Sequence, residues 1–274
     1  MRFLPTTFEV KVTGHGRAVI FIPGFACSGR VWSSTVAHLN GTVEAHVVTF
    51  AGFAGAPPVA EPSLARIRTE LERYILENSL TDAVVVGHSL GGHMALWLAE
   101  IVRGLGAVVD VEGLPFLAAA NDAAMTEARA HTMVQQRVAQ FRSMTDDALG
   151  EWIRRSMSGM FTRPEDRARG LSECVKSDVA TVAQIFGEGV AKDLRADLSR
   201  IAAPVTLVVA TESEVPSPDL RAQWQAQIAG IPNVDLVFML GRHFVMYDQP
   251  AEFNALLARV IANGAALAGV DHLK

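Results

Sequence analysis

The stretch Ala83-Val84-Val85-Val86-Gly87-His88-Ser89-Leu90-Gly91-Gly92 limits the fold more than any other part of the chain. Its first four residues are an apolar, mostly β-branched run of the kind buried on both faces of a parallel sheet, and from Leu90 to about Arg103 the apolar residues recur at helical spacing. Ser89 falls at the junction, between Gly87 and Gly91. A chain that passes directly from a buried strand into a helix must turn sharply there, and glycines two residues either side leave room for neighbouring backbone. Such a turn holds the Ser89 hydroxyl outward. The helix start aims unpaired N–H groups and the positive end of its dipole at the same point, which favours an oxyanion developing there. The plain alternative is a serine that only caps the helix.

Strands and helices alternate around this point. Phe8–Val12, Ala18–Ile22, Val43–Phe50, Ala83–Val86 and Ala107–Glu112 read as strands, with helices over Val31–Leu39 and Ser63–Leu76 between them. That alternation requires an α/β fold with a mostly parallel sheet and crossover helices on its faces. After Ile22 comes a small-residue loop, Pro23-Gly24-Phe25-Ala26-Cys27-Ser28-Gly29. A loop of this kind at a strand's C-terminal end turns backbone N–H groups toward a ligand, so Phe25 and Leu90 are the expected pair of oxyanion donors.

From Phe116 to about Asp193 no strand-like run occurs, and helical spacing covers Met125–Met144, Asp146–Met157, Pro164–Cys174 and Val179–Phe186. Residues 116–193 are therefore expected to form an all-helical insertion, with 1–115 and 194–274 as the α/β core. The methionines of the insertion (Met125, Met133, Met144, Met157, Met160) read as helix contacts, although flexible thioethers also suit an adaptable apolar pocket. Strand character returns at Pro204–Ala210 and Val234–Met239, with helices over Pro218–Ile228 and Ala251–Leu267.

A formal net charge of -5, with no Lys/Arg stripe, gives no reason to expect nucleic acid. No apolar segment reaches membrane-spanning length, and Met1–Glu9 lacks a signal-peptide pattern, so a soluble cytoplasmic protein is expected. Cys27 and Cys174 define neither a disulfide framework nor a metal cluster, and reduced thiols are the default. His88 and His93 read as packing or pocket-wall residues, and His38, His46, His131 and His272 as surface or helix-end residues. No metal or cofactor is implied.

A serine hydroxyl needs a base within hydrogen-bond reach, and the base needs an orienting carboxylate. Ser89, the acidic loop Thr211-Glu212-Ser213-Glu214 and His243 each follow a strand, and Glu112 lies near the C-terminal end of one. In this order the sequence resembles the α/β-hydrolase superfamily. Gly14-His15-Gly16 through Pro23-Gly24-Phe25 is similar to its first motif, Gly87-His88-Ser89-Leu90-Gly91-Gly92 to its nucleophile elbow, and Gly241-Arg242-His243-Phe244 with Gln249-Pro250 to its histidine loop. The helical insertion stands where that family carries a cap domain. One departure is Pro23-Gly24 where the family usually has His-Gly.

The second departure concerns the acid. The family typically has Asp three residues after a glycine closing the strand; counting from Pro204 puts Ser213 there, whereas counting back from Pro216 selects Glu212. Glu212 is therefore the expected acid, with Glu112 and then Glu214 as alternatives.

What the resemblance implies is a serine hydrolase acting on carboxylic esters or related acyl bonds of small to medium hydrophobic substrates. Carbon-carbon bond hydrolysis or acyl transfer would use the same groups, and a ligand-binding protein without turnover is the rival from another class. A serine rather than an aspartate nucleophile argues against haloalkane dehalogenase and epoxide hydrolase chemistry.

Overall fold

A computed structural model describes residues 5–263 of the chain. Its strands are β1 (Phe8–Gly14), β2 (Arg17–Ile22), β3 (Val43–Phe50), β4 (Val84–His88), β5 (Ala107–Val111), β6 (Val205–Thr211) and β7 (Val234–Leu240). They form one sheet in the order β1-β3-β2-β4-β5-β6-β7, with only β1 antiparallel to its neighbour. The apolar runs lie where they must: every residue of β4 and β5 is buried, since helices cover both faces of the sheet centre.

The helices are α1 (Ser33–His38), α2 (Leu64–Glu77), α3 (Leu90–Ala99), α4 (Glu127–Arg142), α5 (Asp146–Met157), α6 (Pro164–Cys174), α7 (Val179–Ala191), α8 (Pro218–Ile228), α9 (Val245–Asp248) and α10 (Pro250–Asn263). The expected start of α2 is met, with Ser63 Oγ accepting the Arg66 N–H as N-cap. Helices α4 to α7 fill the interval between β5 and β6, where the sequence pattern places an all-helical insertion. The final helix, expected to reach Leu267, is described to Asn263; its last residues, and His272, lie outside the described residues.

Three expectations change. Helix α3 ends at Ala99 rather than about Arg103, and the chain continues through turns in which the Ile101 and Val102 N–H groups both bond the Leu98 carbonyl. His46 is buried rather than at the surface, its Nδ1 2.8 Å from the Tyr74 hydroxyl and its Nε2 2.8 Å from Glu44. Helix α7 runs five residues past Phe186 because Gly187 and Gly189 are contact points, not breaks. A Cβ at Gly187 would lie 2.8 Å from Val138 of α4, and one at Gly189 2.8 Å from Leu90 of α3. The missing side chains let α7 settle directly onto the helix that follows Ser89.

Glu100, just past α3, is 5% exposed, and its Oε1 has no hydrogen-bond partner among the described residues. Burial pushes its carboxyl up to about 7, with Asp197 adding to the effect and Lys192, Arg200 and Arg68 opposing it. A carboxyl that holds its proton more tightly folded than unfolded stabilises the fold fully below the ordinary value of 4.5, and that contribution is lost as the pH rises through about 7. Glu100→Gln is expected to flatten this decline, raising the unfolding free energy at about pH 8, relative to its value at about pH 4.5, by on the order of 1–3 kcal/mol. Urea unfolding across that range checks it; a variant with the parent's pH slope would refute the assignment.

Candidate active site

The groups that matter leave the sheet at the C-terminal ends of its strands. Ser89 follows β4 with φ 54° and ψ -117°, a left-handed conformation sparsely used by non-glycine residues. Its surroundings hold it there. A side chain at Gly87 would collide with the Gly91 carbonyl, and one at Gly91 with the Ile22 and Pro23 carbonyls. Gly24 serves the same close approach from the other side: a Cβ there would lie 2.8 Å from His88 Nδ1 and 3.2 Å from Ser89 Cβ. Pro23-Gly24 therefore keeps the residue that the approach needs, whatever precedes it. The Ser89 N–H donates to the Val111 carbonyl at 2.8 Å, tying the turn to β5.

His243 follows β7. Its Nδ1 lies 3.1 Å from Glu112 Oε2, and Glu112 Oε1 accepts the Ala210 N–H at 2.7 Å. Since a carboxylate only accepts, the contact calls for a proton on Nδ1, which leaves Nε2 as an acceptor. The carboxylate on the imidazole is thus Glu112 and not Glu212. Both Glu212 and Glu214 are exposed, on a loop turned outward by Thr211, whose Oγ1 donates to the Ser213 carbonyl at 3.0 Å. Strand order is the reason. β5 lies directly beside β4, so a residue just past β5 emerges next to Ser89; from there Glu112 reaches across the end of β6 to the loop after β7. Glu112 has φ 58°, and its own N–H bonds the Val208 carbonyl, which fixes that crossing. Counting back from Pro216 follows one loop and carries no information about strand order.

Beneath Glu112, Asp110 is fully buried, with Oδ1 accepting the Gly113 N–H at 2.8 Å; burial pushes its carboxyl well above the usual range. It fills the space that a side chain at Gly92 or Gly113 would need. His88 is also buried, and its Nε2–H donates to the His243 carbonyl at 2.8 Å. Burial, then the neighbouring His243, push its pKa well down, so it is neutral. His93 bonds the Leu114 carbonyl through Nδ1 at 2.9 Å, and burial lowers its pKa to about 4. Both histidines thus stand where expected, His88 packed in the interior and His93 on the pocket wall.

The loop carrying His243 is fastened to the helical insertion. Phe244 N–H donates to the Met160 carbonyl at 3.4 Å, Arg242 Nη1 to the Gly159 carbonyl at 3.0 Å, and the Phe244 ring stacks on Phe161 with centroids 4.1 Å apart.

Ser89, His243, Glu112, Phe25 and Leu90 share the wall of one cavity of about 260 Å³. The remaining wall is mainly apolar and comes largely from the insertion, with Trp152, Met157, Met160 and Phe186 prominent. Met157 and Met160 thus line a pocket as well as packing helices, while Met125, Met133 and Met144 do not reach it. Trp152 and Phe186 were not distinguishable from other helix aromatics in the sequence. In the structure Phe186 meets Phe25 edge-on at 5.9 Å and Phe141 at 5.1 Å, joining the insertion to the loop after β2. No Lys or Arg side chain lines this cavity. Among the described residues no group of three His, Cys, Asp or Glu is placed to hold a metal ion, and no helix is long and apolar enough to cross a membrane.

Residues 19–256 match the sequence profile of the alpha/beta hydrolase family. Solved structures share the fold at low identity. An esterase from Exiguobacterium antarcticum superposes with a TM-score of 0.75 at 16% identity, covering 93% of this chain and 95% of that one. A thermophilic esterase from Thermogutta terrifontis gives 0.76 at 17%, covering 94% and 93%. The enol-lactonase of Burkholderia xenovorans LB400 gives 0.73 at 15%, covering 93% and 96%. No curated protein sequence matches the chain.

The packing around Ser89 makes a direct prediction. Gly87→Ala is expected to lower stability by roughly 2–4 kcal/mol, because the atoms in its way are backbone that cannot move aside. Gly159→Ala, where a Cβ would meet nothing within 4 Å, is the control. Its effect should stay within about 0.5 kcal/mol. Urea unfolding of the two variants decides it, and equal effects would mean that the turn tolerates a side chain.

Proposed function

The chain belongs to the α/β-hydrolase family, and on that premise we propose that it is a serine hydrolase cleaving carboxylic esters of small, uncharged, apolar acyl compounds. The observation that carries this reading is the His243–Glu112 pair on the wall of the cavity that also contains Ser89. In the proposed reaction His243 Nε2 takes the Ser89 proton as Oγ attacks the ester carbonyl. Glu112 holds the imidazole by its Nδ1–H and stabilises the imidazolium that forms. The N–H groups of Phe25 and Leu90 would hold the tetrahedral oxyanion, the latter aided by the dipole of α3. Collapse returns the proton to the leaving alcohol, and His243 then activates water to release the acid from Ser89.

Residues 116–193 would act as a cap, closing over the acyl group with Trp152, Met157, Met160 and Phe186. A wall without Lys or Arg offers no partner for a substrate carboxylate, and burying an unpaired one is costly; this favours neutral substrates. The enol-lactonase and esterases that share the fold act on acyl–oxygen bonds by their names, in keeping with this reading.

A fluorophosphonate probe is expected to label the native protein and not Ser89→Ala. Labelling that survives the substitution would refute Ser89 as nucleophile. On short p-nitrophenyl esters, Glu112→Gln is expected to lower kcat by about 10²–10⁴-fold with little change in KM, since it removes a contact that strengthens only as the imidazolium forms. Glu212→Gln should remain within about twofold of the parent, as expected of an exposed surface charge. Loss of activity in Glu212→Gln alone would overturn the assignment of the acid.

A further inference from the structure

Helix α6 ends against the loop after β2, and two sulfur atoms meet there. Cys174 Sγ lies 3.4 Å from Cys27 Sγ, although 147 residues separate them in sequence. Both residues are 1% exposed and unbridged. Polar contacts on either side hold this junction in register. The Glu173 carboxylate accepts the Ser28 hydroxyl and pairs with Arg30 at 2.7 Å. Ser177 Oγ accepts the Ala54 N–H at 2.9 Å and lies 3.2 Å from the Ala26 carbonyl. Neither thiol lines the cavity of Ser89, and the proposed hydrolysis uses neither.

We propose that Cys27 and Cys174 form an oxidisable dithiol, a modification site at which a hydroperoxide closes a disulfide between the α/β core and the helical insertion. One thiol, as its thiolate, attacks the O–O bond; the hydroperoxide is reduced to an alcohol and the sulfur becomes a sulfenic acid. The second sulfur then attacks the first, forming the S–S bond and expelling water. Two thiols and one hydroperoxide thus give one disulfide, one alcohol and one water. The sulfurs need to close by roughly 1.4 Å to reach bonding distance, a shift within reach of side-chain rotation and a small backbone adjustment.

The surroundings also set the pace. The hydrogen bond with Cys174, with burial next in weight, pushes the Cys27 thiol well up, so little thiolate forms while the junction is closed. Oxidation therefore proceeds slowly, through transient openings between α6 and the loop after β2. The bond would then join two parts of the fold otherwise held only by polar contacts and packing. Because Cys27 is two residues from Phe25, it would also fix the loop that carries a proposed oxyanion donor.

The test uses the full chain, treated over hours with tert-butyl hydroperoxide, then denatured and alkylated with N-ethylmaleimide. The expected product is a monomer lighter by two hydrogens that takes up no alkylating agent, with the Cys27 and Cys174 peptides linked, and restored by dithiothreitol. Its apparent Tm should rise by roughly 5–10 °C, as expected for closing a long loop. Cys174→Ala and Cys27→Ala should each lack both the link and the rise. Free alkylation of both thiols after treatment, sulfinic acid in place of the link, or a bridge between two chains would each overturn the proposal. None of these readouts uses ester turnover, so this result and the fate of the hydrolase reading are separable.

Discussion

Ser89 keeps a backbone conformation that costs on the order of 1–3 kcal/mol, and it does so because the turn around it is closely packed on its flanking glycines. The Gly91 carbonyl lies against Gly87, the Ile22 and Pro23 carbonyls against Gly91, and the Gly24 backbone against Ser89 itself. Once these contacts are made, little else about the site is free. The N-terminal end of α3 must face the loop after β2, which brings Leu90 and Phe25 to one wall. Gly189 then admits α7 onto Leu90, and with α7 comes Phe186 and the apolar side of the cavity. Three close contacts around one turn thus set the position of side chains nearly a hundred residues away.

This packing was largely legible in the sequence because it is written in local signals. A β-branched run, a serine between two glycines and an immediate helical period have one comfortable solution. The central strands β4 and β5 followed for the same reason, being buried on both faces and hence apolar along most of their length. The carboxylate was not legible in this way. Glu112, Glu212 and Glu214 all follow strands, and what separates them is that β5 lies beside β4, a property of the sheet and not of any loop. The continuation of α7 was hidden similarly, since Gly187 and Gly189 read as helix endings until their neighbours are known. Trp152 carried no local mark at all.

Three histidines stand close together here, and their surroundings give them different work. The rings of His88 and His243 have centroids 4.7 Å apart, yet only His243 meets a carboxylate. His88 spends its N–H on the His243 main chain, and burial keeps it uncharged. His93 spends its own on the Leu114 carbonyl and is likewise neutral. A protonated neighbour at either position would oppose the positive charge that an imidazole acquires on accepting a proton. Burial of the two supporting rings thus keeps their positive charge away from the ring that meets Glu112.

The attachment of the His243 loop to Gly159, Met160 and Phe161 ties the helical insertion to the peptide that carries the imidazole. Of those three residues Met160 also lines the cavity, and together they brace that peptide. If residues 116–193 act as the cap of the proposed hydrolase, lifting them to admit a ligand would pull on the loop of His243, and lowering them would press that loop back toward Glu112. On that reading, admission and readiness would be geared to one another, as in a vessel whose lid is hinged to its trigger.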